Sequence, residues 1–366
     1  MNEVGVDGRP GMSEVRGPVE VIGVGLLGTS LALALRAAGV EVLLSDVSPE
    51  HLRTASGLGA GRARTEADVP QVVVVAVPPD HLATVIAAAL DEAGPDTVVT
   101  DVGSVKSAPL AAVAGHPRAG RYVGSHPMAG SERSGPLAGH AALFQGRPWA
   151  ITPHLDADVD AVETVEEMVK LTGAVPVWLT PHEHDRAVAR TSHVPHLMAA
   201  LTASRLAHAP ENHLTLSGQG VRDVTRVAAG EPNLYGQIVS ANSDAVLELL
   251  GEVRGDLDRL IAAIGAGDRT ALTGVLAVGV AGTQAIPGKH GEPARPMVSV
   301  WVSVPDSPGA LAQLLADSVA SEVNIEDIRI DHDPARPTGL VELVVDETRG
   351  EHLHDALESR GWTTHR

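Results

Sequence analysis

The chain contains no cysteine among its 366 residues. That excludes disulfides, thiol nucleophiles and cysteine-ligated zinc, and it removes any need for an oxidising compartment. Aromatics are nearly as scarce, at four Trp, two Tyr and one Phe. The cores must therefore be built from Ala, Val, Leu and Ile, and an aromatic beside a polar motif is worth attention. Basic residues are in deficit, 27 Lys and Arg against 46 Asp and Glu, for a net charge of −19. A chain this acidic repels phosphate backbones, so nucleic acid and anionic membranes are poor partners. An anionic small ligand would need a few Arg and His residues to reverse the field locally. No apolar run reaches the roughly 18 residues of a spanning helix; residues 271–282 come nearest and are too short. Residues 1–18 are polar and Gly-rich, lack the apolar stretch of a signal peptide, and read as a flexible tail. A cytoplasmic protein is expected.

What is present suffices for large cores: apolar residues make up 44% of the chain, enough for two or three domains. Residues 19–180 alternate strand and helix signals. Strands are expected at 19–22, 41–45, 72–77, 97–101, 122–124, 148–152 and 174–179. Helices are expected at 26–38, 80–90 and 157–171, the last with Asp156 as N-cap. This order predicts a doubly wound parallel sheet of Rossmann type, covered on both faces. From Pro181 to Gly282 the pattern is helical. Ile238, Ala241, Ala245, Leu249, Val253, Leu257, Leu260 and Ile264 recur at steps of three and four, which predicts an amphipathic helix within 232–264. Residues 181–282 thus read as an all-α domain whose apolar surface suits burial against a second subunit, giving a homodimer. A Pro/Gly-rich linker at 283–296 leads to a unit at 297–366 with the order βαββαβ, the ferredoxin-like arrangement.

Gly23-Val24-Gly25-Leu26-Leu27-Gly28 lies between a strand and a helix. The first Gly makes the turn, the second admits a pyrophosphate, and the third lets helix pack closely on strand. Asp46 ends the second strand, 18 residues after Gly28. Its carboxylate suits ribose hydroxyls and repels a 2′-phosphate, so NAD is favoured over NADP. Val77 and Pro78 end the buried strand at the edge where a cofactor crevice forms. Ser104, in Asp101-Val102-Gly103-Ser104-Val105-Lys106-Ser107, is a hydrogen-bond donor or a helix N-cap. His126, in Gly124-Ser125-His126-Pro127-Met128-Ala129-Gly130, is a neutral proton acceptor or a satisfied loop histidine.

Residues 181–213 hold His182, His184, His193, His196, His208 and His213. His193 and His196 share one helix face, and Pro195 between them frees the Thr191 carbonyl and predicts a kink. No HExxH occurs, and His182-Glu183-His184 is not a helical chelate, so no metal is assigned. Arg226 offers a bidentate fork to a carboxylate, or a surface ion pair to Asp223; Tyr235 follows nine residues on.

Taken in order, GVGLLGTS, AVPPD, TDVGSVKS, VGSHPMAGSERSG, HEHD, TSHVPH and VRDVTR resemble the prephenate/arogenate dehydrogenase family of tyrosine biosynthesis over residues 19–242. The resemblance implies a Rossmann domain followed by a helical dimerisation domain. It implies NAD-dependent oxidative decarboxylation of prephenate to 4-hydroxyphenylpyruvate, or of arogenate to tyrosine. His126 then bonds the ring 4-hydroxyl, Ser104 orients it, Arg226 binds a carboxylate, and His193, His196 and Tyr235 line the pocket. His184 and Glu132 match further polar positions of the family. The C-terminal unit resembles an ACT domain through Val304-Pro305-Asp306-Ser307-Pro308-Gly309-Ala310-Leu311 and Asn324-Ile325-Glu326-Asp327-Ile328. That implies an aromatic amino-acid effector, tyrosine first, held by Asp306, Pro308, Gly309, Asn324 and Ile325. Two other classes stay open. A 3-hydroxy-acid dehydrogenase would need a lysine in the helical domain, and Lys170 and Lys289 are the only lysines after Lys106. A non-catalytic NAD and amino-acid sensor would leave Ser104, His126 and Arg226 together without a purpose.

Overall fold

A computed structural model describes residues 15–130, 133–286, 296–331 and 338–365. Most of the expected tail and linker, Glu132, and the turn between the second and third strands of the C-terminal unit lie outside the described residues. Eight strands form the first sheet: β1 (Val19–Ile22), β2 (Val42–Ser45), β3 (Arg62–Ala63), β4 (Val72–Val75), β5 (Val98–Asp101), β6 (Tyr122–Pro127), β7 (Pro148–Thr152) and β8 (Val175–Trp178). Their order is β3-β2-β1-β4-β5-β6-β7-β8. The strand order reverses between the parallel neighbours β1 and β4, where the carboxyl ends of these strands open a crevice.

β4 reads Val-Val-Val-Val and is buried throughout. Val72 and Val74 pack with Leu31, Leu35, Val165 and Met168 on one face; Val73 and Val75 pack with Leu82, Ile86 and Leu90 on the other. Burial on both faces explains a continuous apolar run. Three of the few aromatics, Tyr122, Phe144 and Trp149, are spent inside these cores.

The expected all-parallel sheet is corrected at one pair: β6 and β7 run antiparallel. A parallel return needs a crossover element, and the only regular turn described between them is the short 3₁₀ segment Pro136–Ala138. Helix Val159–Leu171 then restores parallel pairing of β7 with β8. Its N-cap is Asp158, not Asp156, and no side-chain bond caps it. Helices Pro49–Gly57 and Ser107–Val113 and strand β3 were not foreseen; all are short and carry little periodicity. β4 stops at Val75, before Val77, whereas β6 runs on to Pro127 and carries His126 inside the strand.

Beyond β8 the chain is helical: Pro181–Val188, a π turn over Ala189–His193, then Val194–Ser204, Glu211–Leu214, Gln219–Thr225, Pro232–Ala241, Ser243–Ala266 and Arg269–Gln284, with a 3₁₀ turn at Arg226–Ala229. Pro195 has no N–H to give, and the chain absorbs this as the π turn just before it. The helix expected within 232–264 is broken at Asn242, whose φ of −119° and ψ of 32° are not helical.

The contacts divide the chain into two compact units, one ending at Arg259 and the other beginning at Leu260. The second unit contains an antiparallel sheet of β9 (Met297–Pro305), β10 (Asp327–Asp331), β11 (Thr338–Asp346) and β12 (Thr363–His365), in the order β10-β11-β9-β12. Val300, Val302 and Val304 alternate inward from β9 and meet Leu314, Leu353 and Leu357 of helices Ala310–Val319 and Glu347–Ser359. Among the described residues no helix is long and apolar enough to cross a membrane.

Candidate functional site

The glycine loop after β1 is set by contact distances. Gly23 has φ +95°, and a Cβ there would come within 2.5 Å of the Ala76 carbonyl oxygen. A Cβ on Gly28 would lie 1.9 Å from the Gly23 carbonyl oxygen, so only glycine lets the helix start this close to the strand. A Cβ on Gly25 would meet nothing within 4 Å, so this side of the loop is open. Helix Leu26–Ala37 begins there with no side-chain cap on its first N–H groups. Asp46 stands at the end of β2, and its carboxylate accepts from the backbone N–H of Val24 (2.8 Å) and of Ser48 (2.7 Å). It therefore also pins the loop, a task not read from the sequence. Val77 packs beside Gly23, and Pro78 precedes helix Pro79–Glu92. Uncapped donors, an open glycine and a carboxylate at the second strand end fit a dinucleotide.

The second cluster lies around the carboxyl ends of β5 and β6. Ser104 is half-buried in the loop after β5; the following helix is capped by Lys106, so Ser104 is not its N-cap. Lys106 is sealed from solvent and donates to the Asp101 carboxylate and to the Ser125 carbonyl, the latter at 2.7 Å. Tyr122 donates to the other Asp101 oxygen at 2.9 Å. His126 Nδ1 lies 3.0 Å from His184 Nε2, and His184 Nδ1 lies 2.9 Å from Asp185 Oδ1. Asp185 also accepts from the backbone N–H of Lys106 and of Ser107, each at 2.8 Å. A Thr180–Glu183 capping box starts helix Pro181–Val188 and fixes its rotation, so that His184 and Asp185 are buried and His182 and Glu183 exposed.

The helical segments add a third group. Asn242 donates to the Asp185 carbonyl at 2.8 Å and lies 3.2 Å from His193 Nδ1. His196 stacks on Tyr235 with ring centroids 3.4 Å apart and planes 5° off parallel. A Cβ on Gly230 would sit 2.7 Å from the Tyr235 ring, so this stack needs glycine beside it. The buried Nδ1 of His196 has no partner among the described residues. Arg226 is exposed at the start of the 3₁₀ turn. It does not pair with Asp223, which instead accepts from Gln219 at 2.8 Å.

Burial lowers the pKa of all four histidines. His126 is pushed well below the usual imidazole value by burial and by the nearby His184, Lys106 and His193. His184 is lowered by burial against the opposing pull of Asp185, and His196 by burial. His193 is pushed down to about 4 by burial. Burial raises Asp185, but the hydrogen bonds from His184, Ser107 and Lys106 outweigh it and hold the carboxyl below its ordinary value. At neutral pH the cluster is a set of uncharged imidazoles over an ionised carboxylate.

Ser104, His126, His193, His196, Arg226 and Tyr235 are legible as candidates in the sequence. Lys106, Asp185 and Asn242 are assigned no role there. The first two stood inside quoted motifs. Asn242 carried no signal, because its place depends on a helix break that the periodicity hides.

In the C-terminal unit a small cleft of about 90 Å³, open to solvent, is lined by Val304, Pro305, Asp306, Ser307, Leu311 and Ile330, among others. Of the five expected effector residues it includes Asp306; Pro308, Gly309, Asn324 and Ile325 do not line it. Asn324 is engaged with Glu326 at 2.6 Å.

Residues 31–178 match the family described as prephenate dehydrogenase, nucleotide-binding domain, and residues 180–278 match prephenate dehydrogenase, dimerization domain. The chain is 35% identical to the "Probable prephenate dehydrogenase NovF" of Streptomyces niveus, across 93% of this chain and 98% of that protein. It is similar to the crystal structure of prephenate dehydrogenase from A. aeolicus in complex with hydroxyphenyl propionate and NAD+, at 26% identity and TM-score 0.67, covering 73% of this chain and 98% of that one. It is also similar to Synechocystis arogenate dehydrogenase, at 26% identity and TM-score 0.63, covering 72% and 98%. The open glycine loop and the histidine cluster thus lie in a chain that belongs to the prephenate dehydrogenase family of oxidoreductases.

Proposed function

We propose that this protein catalyses the NAD-dependent oxidative decarboxylation of prephenate to 4-hydroxyphenylpyruvate, carbon dioxide and NADH. The observation that carries the reading is His126: a neutral imidazole at the carboxyl end of β6, held through Nδ1 by His184. Its other nitrogen is left to take a proton. Gly23, Gly25, Leu26, Leu27 and Gly28 would hold the NAD pyrophosphate, Asp46 its ribose, and Val77 and Pro78 its flank. When bound, NAD supplies the acceptor for the hydride that leaves C4 of the substrate.

The protein's own part is positioning and proton handling. Ser104 orients the 4-hydroxyl, and His126 takes its proton as the C4–O bond gains carbonyl character. Arg226 receives a carboxylate, while His193, His196 and Tyr235 close on the side chain. The ring carboxylate leaves as carbon dioxide, and its bonding pair completes the aromatic ring. Aromatisation drives the reaction forward; metal chemistry is not called on.

Arogenate is the second reading, favoured by similarity to the Synechocystis enzyme. It differs in carrying an amino group where prephenate has a keto group, and its product is tyrosine. Following NADH absorbance with each substrate decides between them. Faster turnover of arogenate would replace the first reading, and turnover of neither would remove both.

The finer organisation belongs to the same proposal. The boundaries are 19–180 for the cofactor domain, 181–282 for the helical domain, 283–296 for a linker and 297–366 for an ACT-like, ferredoxin-like unit. The exposed Leu247 and Leu257 of helix Ser243–Ala266 suit a homodimer. The cytoplasm suits a cysteine-free chain. The cleft at Asp306 and Ser307 suits tyrosine as an effector, with Asp306 facing the amino group.

A further inference from the structure

Asp185 is engaged at both ends, by its carboxylate and by its backbone carbonyl. Two main-chain N–H groups, of Lys106 and Ser107, point at the carboxylate at 2.8 Å each. A carboxylate held this way is ionised and only accepts. His184 Nδ1, 2.9 Å away, must therefore carry a proton. In a neutral imidazole the other nitrogen is then a lone pair. That lone pair, on Nε2, lies 3.0 Å from His126 Nδ1, so the His126 proton sits on Nδ1 and its Nε2 is bare.

The Asp185 carbonyl can only accept as well. The Asn242 amide group 2.8 Å from it must present nitrogen rather than oxygen. The same nitrogen is 3.2 Å from His193 Nδ1 and gives it the second amide hydrogen. His193 Nδ1 is therefore the lone pair, and its proton sits on Nε2.

We propose that Asp185, with Asn242, presets two histidines of the site in opposite tautomers, His126 as an acceptor and His193 as a donor, both at Nε2. This rests on the reading above for the identity of the substrate. It narrows the chemistry to a hydroxy acid: a hydroxyl that gives its proton to His126, and an oxygen of the acid or keto group that accepts from His193. Asp185, His184 and Asn242 are positioning residues and touch no substrate.

The direct test is ¹⁵N spectroscopy of the imidazoles in the full-length protein, with His126→Asn and His193→Gln spectra to assign the two rings. The expected result is protonated Nδ1 on His126 and protonated Nε2 on His193. Like tautomers in both rings, or the reverse pair, would overturn the proposal. Kinetics give a second measurement. His184→Gln keeps an acceptor for His126 and should hold kcat within about tenfold, whereas His184→Leu should lose about 100-fold or more. Equal loss in both would reduce His184 to a packing role. Asn242→Asp puts an acceptor beside His193 Nδ1 and draws the proton there. It should raise KM for prephenate about tenfold, with kcat within about threefold and KM for NAD unchanged. An unchanged KM, or a parallel loss in all three constants, counts against a donor at His193. If the unaltered protein turns over neither prephenate nor arogenate, the functional reading fails, while the spectra still decide the tautomers.

Discussion

Lys106 and Asp101 form an ion pair with neither side chain open to solvent, and the same ammonium donates to the carbonyl of Ser125, the residue before His126. The pair ties β5 to β6 at the point where the proton acceptor stands. Removing one member of a buried pair leaves the other charge uncompensated, at a cost of about 3–5 kcal/mol. Lys106→Met should therefore destabilise the protein by about that amount in chemical denaturation. It also removes a cation that holds His126 down, so the acid limb of kcat/KM should move to higher pH in whatever variant folds. The Gly103 N–H also donates to Asp101, at 2.9 Å, so a loss below about 1 kcal/mol would mean that it and Tyr122 satisfy Asp101 by themselves.

His126 and Arg226 should fail in different ways. His126→Asn keeps a polar side chain but removes the proton acceptor, and should lower kcat by about 10²–10⁴ with NAD binding retained. Arg226→Ala removes a charge-assisted bond to a carboxylate worth about 1.5–3 kcal/mol, and should raise KM for prephenate roughly 10- to 100-fold with a smaller change in kcat. Steady-state kinetics with NAD binding followed by fluorescence separate the two. Near-normal turnover in the first would make His126 structural, and an unchanged KM in the second would leave Arg226 outside the site.

Asp46 has two tasks that one substitution separates. Asp46→Asn keeps an oxygen for the Val24 N–H and discards the charge. The preference for NAD over NADP should narrow, because repulsion of the 2′-phosphate is gone, while loop geometry and turnover with NAD persist. Equal use of both cofactors by the unaltered protein would refute the assignment.

The histidine cluster also predicts a pH dependence of stability. His126, His184, His193 and His196 all have folded pKa values below the unfolded value near 6.5. Between those values the unfolded chain binds more protons, so stability rises with pH there. Their contribution is complete above about 6.5 and is lost as pH falls toward the folded values, about 4 for His193. Tm should be flat from pH 7 to 8 and fall steadily below pH 6.5. Replacing His193 by Gln should shallow that fall, and an identical slope would show that its ring is not buried as a neutral group.

Much of the site was legible because its residues sit in local motifs. A strand, a glycine turn, a helix and an acid at the next strand end form one short unit, and period-two and period-3.6 patterns locate it. Strand β6 is longer than the expected 122–124 and runs to Pro127, so His126 stands in the strand rather than after it. The antiparallel β7 was missed because alternation of strands and helices does not report the direction of a strand reached without a crossover helix. Asp185 and Asn242 were silent for another reason. Asp185 also holds Lys106 and Ser107, and Asn242 holds Asp185 and His193; these partners are distant in the chain and are brought together only by packing.

Regulation can be tested at the C-terminal cleft. Leu311→Trp should fill it from the helix side and leaves every residue of the first unit unaltered. Competitive inhibition by tyrosine at the substrate site should survive, and any non-competitive part should vanish. If the substituted and unaltered proteins give the same inhibition pattern, the C-terminal unit does not bind tyrosine at this cleft.

The π turn over Ala189–His193 has a consequence for what lengths of chain this helix tolerates. It holds one residue more than an α-helical path of the same span. Deleting Thr191 would leave a regular helix, by itself a gain in backbone regularity. Each residue of an α-helix turns the chain by about 100°, so winding the same residues without the π turn would swing everything after it round the axis. His193 would then leave Asn242, and His196 would leave the face of Tyr235. The π turn therefore acts as a phase setting: it takes up the extra residue, and a chain shorter by Thr191 would keep the same phase as an unbroken helix.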